Sequence, residues 1–258
     1  MTRIPRSHPR YRSLVTRAYL AREMERGLLV PEGLIAHGRG EAFDYLYGER
    51  SPPFALEAER AAATRLLRSR LPVVSVNGNV AALAAQEVAQ LARAIPGLRV
   101  EVNLFHRTPE RAELVRAKLA EAGVTQILGV HPTARIRGLA SDRGWVDKEG
   151  ILQADTVLVP LEDGDRAEAL AKAGKYVITV DLNPFSRSTL AAHLPIVDEL
   201  TRALARIRRE ALRLRKGGGK IAEGPAVDGD QLRRESVEFL VRRLTAIARK
   251  TPVGTRGP

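Results

Sequence analysis

The sequence predicts an α/β fold, a parallel sheet with helices on both faces and helical additions at the N- and C-terminal ends. Short runs rich in Val and Ile alternate with longer helical patterns, without an internal repeat. Cap and turn residues bracket most of the helical stretches, as crossover units require. The strand runs are short, apolar and rich in Val or Ile, as strands covered on both faces should be.

Ahead of the sheet, residues 10–26 read as a helix ending at Gly27. Residues 41–47 read as a second helix, preceded by a loop Ala36-His37-Gly38-Arg39-Gly40, and residues 55–70 as a third that leads into the first strand. Five strands are expected, at 73–76, 99–104, 126–130, 156–160 and 176–181. Between them, an Ala-rich helix at 80–95 stops before Pro96-Gly97. Thr108 caps and Pro109 opens the helix that runs to Ala122 ahead of Gly123, and residues 166–173 form another that stops at Gly174. After the last strand, Pro195 is expected to open a long helix in which Val197, Leu200, Leu204, Ile207, Ala211 and Leu214 make a heptad-like seam. That seam fits either the protein's own core or a subunit interface. Gly217-Gly218-Gly219 then breaks the chain, and residues 231–249 form a last basic amphipathic helix. The expected division is one α/β domain over 1–215, N-terminal helices included, and a basic, glycine-led linker and helix over 216–258.

A chain of 258 residues with 44% hydrophobic content can bury a full core. The excess of 42 Lys and Arg over 30 Asp and Glu, a formal charge of +12, points to an anionic partner: nucleic acid, membrane surface or phosphorylated metabolite. Aromatics make up only 4% and are scattered, unlike the stacking platforms of single-strand readers. No apolar run approaches the roughly 20 residues that span a bilayer, and a cytoplasmic protein without membrane contact is expected. With no cysteine, disulfides, thiolate metal sites and cysteine nucleophiles are excluded. The histidines do not recur at helical metal spacing, so no metal ligands are assigned.

Several short stretches could carry chemistry. Asn77-Gly78-Asn79 joins a strand to a helix N-terminus, where anions bind well; it is the candidate substrate-binding turn, although Asn and Gly suit a plain turn equally. It holds one glycine, and no acidic residue closes the second strand, which argues against a nicotinamide cofactor. Asp181-Leu182-Asn183 and Arg187-Ser188 follow the last expected strand, where open parallel sheets place ligand loops. They could recognise a nucleotide's sugar and phosphates or form a Ser-capped turn. His37 and Arg39, between small neighbours, could approach a charged ligand closely and are the candidate catalytic pair. Arg17 alone reads as a surface arginine on an amphipathic helix. Gly217-Gly218-Gly219-Lys220 lacks the spacing of a phosphate loop.

Taken jointly and in order, Ile4–Tyr11, Gly33–Leu46, Pro72–Leu83, Pro160–Arg166 and Thr179–Pro184 resemble the archaeal phosphopantothenate synthetases, 4-phosphopantoate:beta-alanine ligases. The resemblance covers residues 4 to about 207 and implies a Rossmann-like fold and a homodimer. It further implies ATP-dependent condensation of 4-phosphopantoate with beta-alanine to 4'-phosphopantothenate, in coenzyme A biosynthesis. The implied route is an acyl-adenylate, with AMP and diphosphate released and Mg2+ assisting. Position by position it places Arg17 and Arg39 on the ATP phosphates and Asp181, Leu182, Asn183, Arg187 and Ser188 around the nucleotide. Glu199 and Leu200 join them, with Glu199 standing where the family has Asn. His131 also replaces a usual Asn, and the match fades beyond about Leu212. The rival expectation is a basic nucleic-acid-binding accessory protein without ligase activity, motivated by the net charge and the basic C-terminal helices; a third is an oligomeric structural protein.

Overall fold

The structure, a computed structural model, describes residues 4–139, 141–217, 221 and 227–250. Three helices, α1 (Tyr11–Glu25), α2 (Pro31–Tyr47) and α3 (Pro53–Arg68), precede the first strand, β1 (Pro72–Val76). Then come α4 (Gly78–Ala94), β2 (Arg99–Val102), α5 (Pro109–Glu121) and β3 (Ile127–Leu128). A small antiparallel pair, β4 (Ala134–Arg135) and β5 (Trp145–Val146), interrupts the series. The chain continues with β6 (Thr156–Pro160), α6 (Gly164–Lys172), β7 (Tyr176–Val180), α7 (Arg187–Ala191), β8 (Leu194–Ile196), α8 (Leu200–Lys216) and α9 (Gly229–Lys250).

The main sheet has the order β3-β2-β1-β6-β7-β8, and every neighbouring pair is parallel. The chain runs outward from β1 to β3, returns to β6 beside β1, and runs outward the other way. At that reversal the loops leaving the carboxyl ends of β1 and β6 diverge and open a crevice, the usual ligand position in such sheets. β1 and β6 are buried along their whole length, which explains their largely apolar sequences. Alternate side chains serve opposite faces. Val74, Val76 and Leu158 join the larger core with α3, α4 and α8, while Val73, Val157 and Val159 pack on the other side with Ala167 and Leu170 of α6.

The expected helix starts and stops at α4, α5 and α6 are found within two residues, with Asn77, Thr108 and Asp163 as side-chain N-caps. Elsewhere the structure corrects the sequence reading. Residues 36–40, expected as a loop, lie inside α2, which begins with Pro31 at its first turn. Each of the glycines 33, 38 and 40 weakens a helix by about 1 kcal/mol, but a proline start and packing of its inner face outweigh them. Pro195, expected to open a helix, sits in the strand β8, and the helix begins at Leu200. Proline lacks the ladder donor and is tolerated there because β8 is the sheet edge. The heptad-like seam of α8 is spent inside the molecule: Leu200, Leu204, Ile207 and Ala211 are buried in the larger core with α3 and α4. It is therefore not a subunit interface. Gly218 and Gly219 lie outside the described residues.

Leu232 and Leu240 of α9 enter the larger core, and Phe239 stacks on Tyr47 with ring centroids 6.1 Å apart. Phe54 completes that aromatic cluster edge-on. Among the described residues no helix is long and apolar enough to cross a membrane.

Candidate active site

A cleft of about 480 Å³ opens at the carboxyl ends of the strands, at the reversal between β1 and β6. Its walls are the α2 face carrying His37, Arg39, Gly40 and Glu41, the turn Asn77-Gly78-Asn79, the residues following β6, the loop after β7, and the start of α8. Every candidate site residue except Arg17 lines it. Arg17 instead grips Glu41, its Nε donating to Oε2 at 2.9 Å, so it reaches the cleft through that carboxylate.

The turn after β1 is built for close approach. The Asn77 side chain caps α4, accepting from Val80 N at 3.0 Å, and its amide donates to the Leu161 carbonyl at 2.8 Å. Leu161 has φ of +49°, a left-handed conformation unfavourable for a side-chain-bearing residue, and Asn77 helps hold it there at the cleft floor. Asn77 is thus a strut between β1 and β6, and the anion-binding potential of the turn rests on backbone N–H groups. Gly78 must be glycine because a Cβ would collide with the Leu28 carbonyl. Asn79 donates to the Gly33 carbonyl at 2.9 Å and ties α2 to α4.

After β7, Asp181 accepts from Asn183 N at 2.9 Å and from Ser188 Oγ at 3.2 Å. Asn183 in turn accepts from Phe185 N at 2.9 Å, so the loop is internally braced. Arg187 lines the cleft yet is paired with Asp165 at 2.7 Å and Glu168 at 2.9 Å on α6. Glu199 caps α8, accepting from Thr201 N at 2.9 Å and Arg202 N at 3.0 Å. With its carboxylate spent on the cap, Glu199 offers a ligand chiefly its backbone, so a Glu in place of Asn keeps the helix start intact. Leu182 and Leu200 are buried and form apolar wall.

Two side chains on α2 stand out. Arg39 is exposed and has no ion-pair partner among the described residues. His37 is half-buried, and its Nε2 is buried without a hydrogen-bond partner among the described residues. Desolvation holds its imidazole below the ordinary value, against the opposing pull of Glu41 and with Arg17 adding to it, so at neutral pH it is an uncharged proton acceptor.

The sequence reading missed the other wall. Phe105, His106, Arg111, Arg143 and Glu162 also line the cleft. Glu162 is buried between two guanidinium groups, with Arg166 Nη1 at 2.6 Å and Arg143 Nη2 at 2.8 Å. Arg143 also pairs with Asp163 at 3.0 Å and donates to the Asn103 carbonyl at 3.1 Å. Arg111 has its pKa lowered by burial and by the nearby Arg143, a sign of concentrated positive potential facing the cleft. The Glu162 to Arg166 spacing of one helical turn was the available signal. Arg143 gave none, because it arrives from the β4–β5 excursion. His131 does not line the cleft.

A family model described as phosphopantothenate/pantothenate synthetase matches residues 54–232. A protein from Methanospirillum hungatei is 50% identical over 243 residues, covering 93% of this chain and 98% of its own. Relatives from Thermococcus onnurineus and Methanosarcina mazei are each 53% identical, over 208 residues (80% of this chain, 79% of the relative) and 216 residues (84% and 85%). All three relatives are named 4-phosphopantoate–beta-alanine ligase.

Proposed function

Since the chain belongs to the phosphopantothenate/pantothenate synthetase family, we propose that it is an ATP-dependent ligase that joins 4-phosphopantoate to beta-alanine through an acyl-adenylate. The observation that carries this reading is the cleft at the sheet's reversal point, walled by Arg39, Arg111 and Arg143 and by the braced loop from Asp181 to Ser188. Both substrates of the first step are polyanions, and this concentration of guanidinium groups suits them. No observation favours the nucleic-acid reading: Arg202, Arg206 and Arg213 of the basic α8 are paired with the protein's own acids.

In the first step a carboxylate oxygen of 4-phosphopantoate attacks the α-phosphorus of ATP, and diphosphate leaves with the bond electrons. Arg39 stabilises the charge that develops on the phosphate oxygens, and Arg17 adds to that field from behind Glu41. Asp181, Leu182, Asn183 and Ser188 hold the nucleotide, with Arg187 and the backbone at Glu199 and Leu200 closing its other side. Asn77, Gly78 and Asn79 hold the acyl substrate through the backbone of their turn. In the second step the amine of beta-alanine attacks the acyl carbon, the carbon–nitrogen bond forms, and AMP leaves. The amine must shed a proton; His37, kept neutral by burial and with an unpartnered Nε2, is the group to take it.

Among the described residues there is no cluster of three or more metal-ligating side chains, and Glu41, Glu162, Asp181 and Glu199 are each engaged by protein donors. Glu32, exposed at the cleft and without a hydrogen bond or ion pair among the described residues, is the cleft carboxylate left over, and one carboxylate is not a dedicated magnesium site. Mg2+ would arrive on the ATP phosphates, as is usual for nucleotide enzymes, and no step is routed through it.

AMP and 4'-phosphopantothenate should appear only when ATP, 4-phosphopantoate and beta-alanine are all supplied, with nucleotide products separated by chromatography. Stoichiometric ADP would replace the adenylate with an acyl-phosphate route. We further propose a homodimer built on a surface other than the α8 seam. Light scattering at micromolar concentration should give about twice 28.3 kDa, and an active monomer would refute it.

A further inference from the structure

On α2, His37, Glu41 and Asp44 follow one another at i, i+4 and i+7 and so share a helix face. Two of them line the cleft, while Asp44 reaches the start of α8. There Arg202 takes both Asp44 oxygens, Nη1 to Oδ2 at 3.0 Å and Nη2 to Oδ1 at 2.5 Å. The same guanidinium donates to Asp198 Oδ1 from Nε at 3.1 Å and from Nη2 at 2.8 Å. Asp198 is 1% exposed, accepts from Glu199 N at 2.7 Å, and also receives the Ser51 hydroxyl from the α2–α3 connection. Behind it lies the buried Glu59 of α3, pushed by burial and by Asp198 up to about 10 and therefore uncharged at neutral pH. One arginine thus holds two carboxylates, Asp44 from α2 and Asp198 from the turn that leads into α8.

We propose that Asp44 and Arg202, seated on Asp198, are positioning residues that fix the His37–Arg39–Glu41 wall against the α8 start so that both close on the nucleotide together. The inference rests on the nucleotide-site reading above. None of the three side chains lines the cleft, so they act through Glu41, His37 and Glu199 rather than by contact with substrate. A bidentate guanidinium–carboxylate pair suits this role, because its planar fork fixes orientation as well as distance. Small misplacement of a site wall is costly, and up to about a hundredfold in rate can follow a shift of about 1 Å.

The test measures ATP binding by calorimetry, with no second substrate, for Asp44→Asn, Arg202→Lys and the double variant. Asp44→Asn keeps the shape and loses the charge; Arg202→Lys keeps the charge and loses the fork. Each should raise the dissociation constant for ATP about tenfold, and the double variant should be no worse than the poorer single one, because both break one link. Arg60→Ala, which removes only the outlying contact to Glu210 at 3.9 Å, should bind ATP as the parent does. Binding is measured where circular dichroism shows each variant folded, so that lost stability alone would lower the titrated fraction of sites and leave the dissociation constant unchanged. That result, or parental affinity in both single variants, overturns the inference. Normal ATP affinity in Arg39→Ala would instead strike the nucleotide-site reading itself.

Discussion

Replacing Glu162 with alanine is expected to destabilise the protein by about 3 to 5 kcal/mol, the usual loss when one partner of a buried ion pair is removed. Arg166 is wholly buried, and its bonds to Glu162 at 2.6 Å and to Ser75 Oγ at 2.9 Å both use Nη1. Its Nε and Nη2 have no other partners among the described residues. Without the carboxylate, Arg166 is a buried cation facing Arg143, with nothing of opposite sign as close. The thermal midpoint followed by circular dichroism should fall by roughly 10 °C. Replacing Glu162 and Arg166 together by Gln and Met should recover part of that loss, because no uncompensated charge remains. A midpoint within about 2 °C of the parent for Glu162→Ala would show that the network does not hold the fold. The site would suffer as well, since Glu162 aims Arg143 along the cleft wall.

Replacing Arg39 with alanine should reduce kcat/KM for ATP about tenfold or more and leave the fold intact. A charge-assisted contact to phosphate is worth roughly 1.5 to 3 kcal/mol, whereas an exposed arginine without a special partner changes stability by less than about 0.5. Arg39 meets the second condition, being exposed and without an ion-pair partner among the described residues. Arg39→Lys should recover only part of the loss, since lysine keeps the charge but not the fork that grips two phosphate oxygens. Arg242→Ala, which breaks only an exposed pair with Glu238 at 3.5 Å, should be nearly silent. Normal ATP kinetics in a folded Arg39→Ala would remove this residue from the nucleotide site even if the ligase activity stands.

Much of the fold was legible because the crossover units are locally consistent. Strands β1, β6 and β7 are buried apolar runs, and the intervening helices carry caps that their sequences announce, such as Thr108-Pro109. What failed did so where tertiary packing overrode local signals. Pro195 looks like a helix start and becomes an edge strand because β7 offers it a partner, Thr179 against Pro195. Gly38 and Gly40 look like a loop and stay helical because α2 is anchored at Gly33 by Asn79 and at Asp44 by Arg202. The same division holds for the site. The turn after β1 and the loop after β7 were visible as short polar stretches following apolar runs, and all their named residues line the cleft. Arg143 and Arg111 were not visible, since each is one basic residue among many until the chain brings it beside Glu162 or His106.

The most direct measurement uses 4-phosphopantoate labelled with oxygen-18 in its carboxylate, incubated with ATP, beta-alanine and the protein. Attack on the α-phosphorus followed by amide formation leaves one carboxylate oxygen on the nucleotide, so mass spectrometry should find the label in AMP and none in diphosphate. Label in inorganic phosphate accompanied by ADP, or no label transfer with no amide formed, would contradict the account.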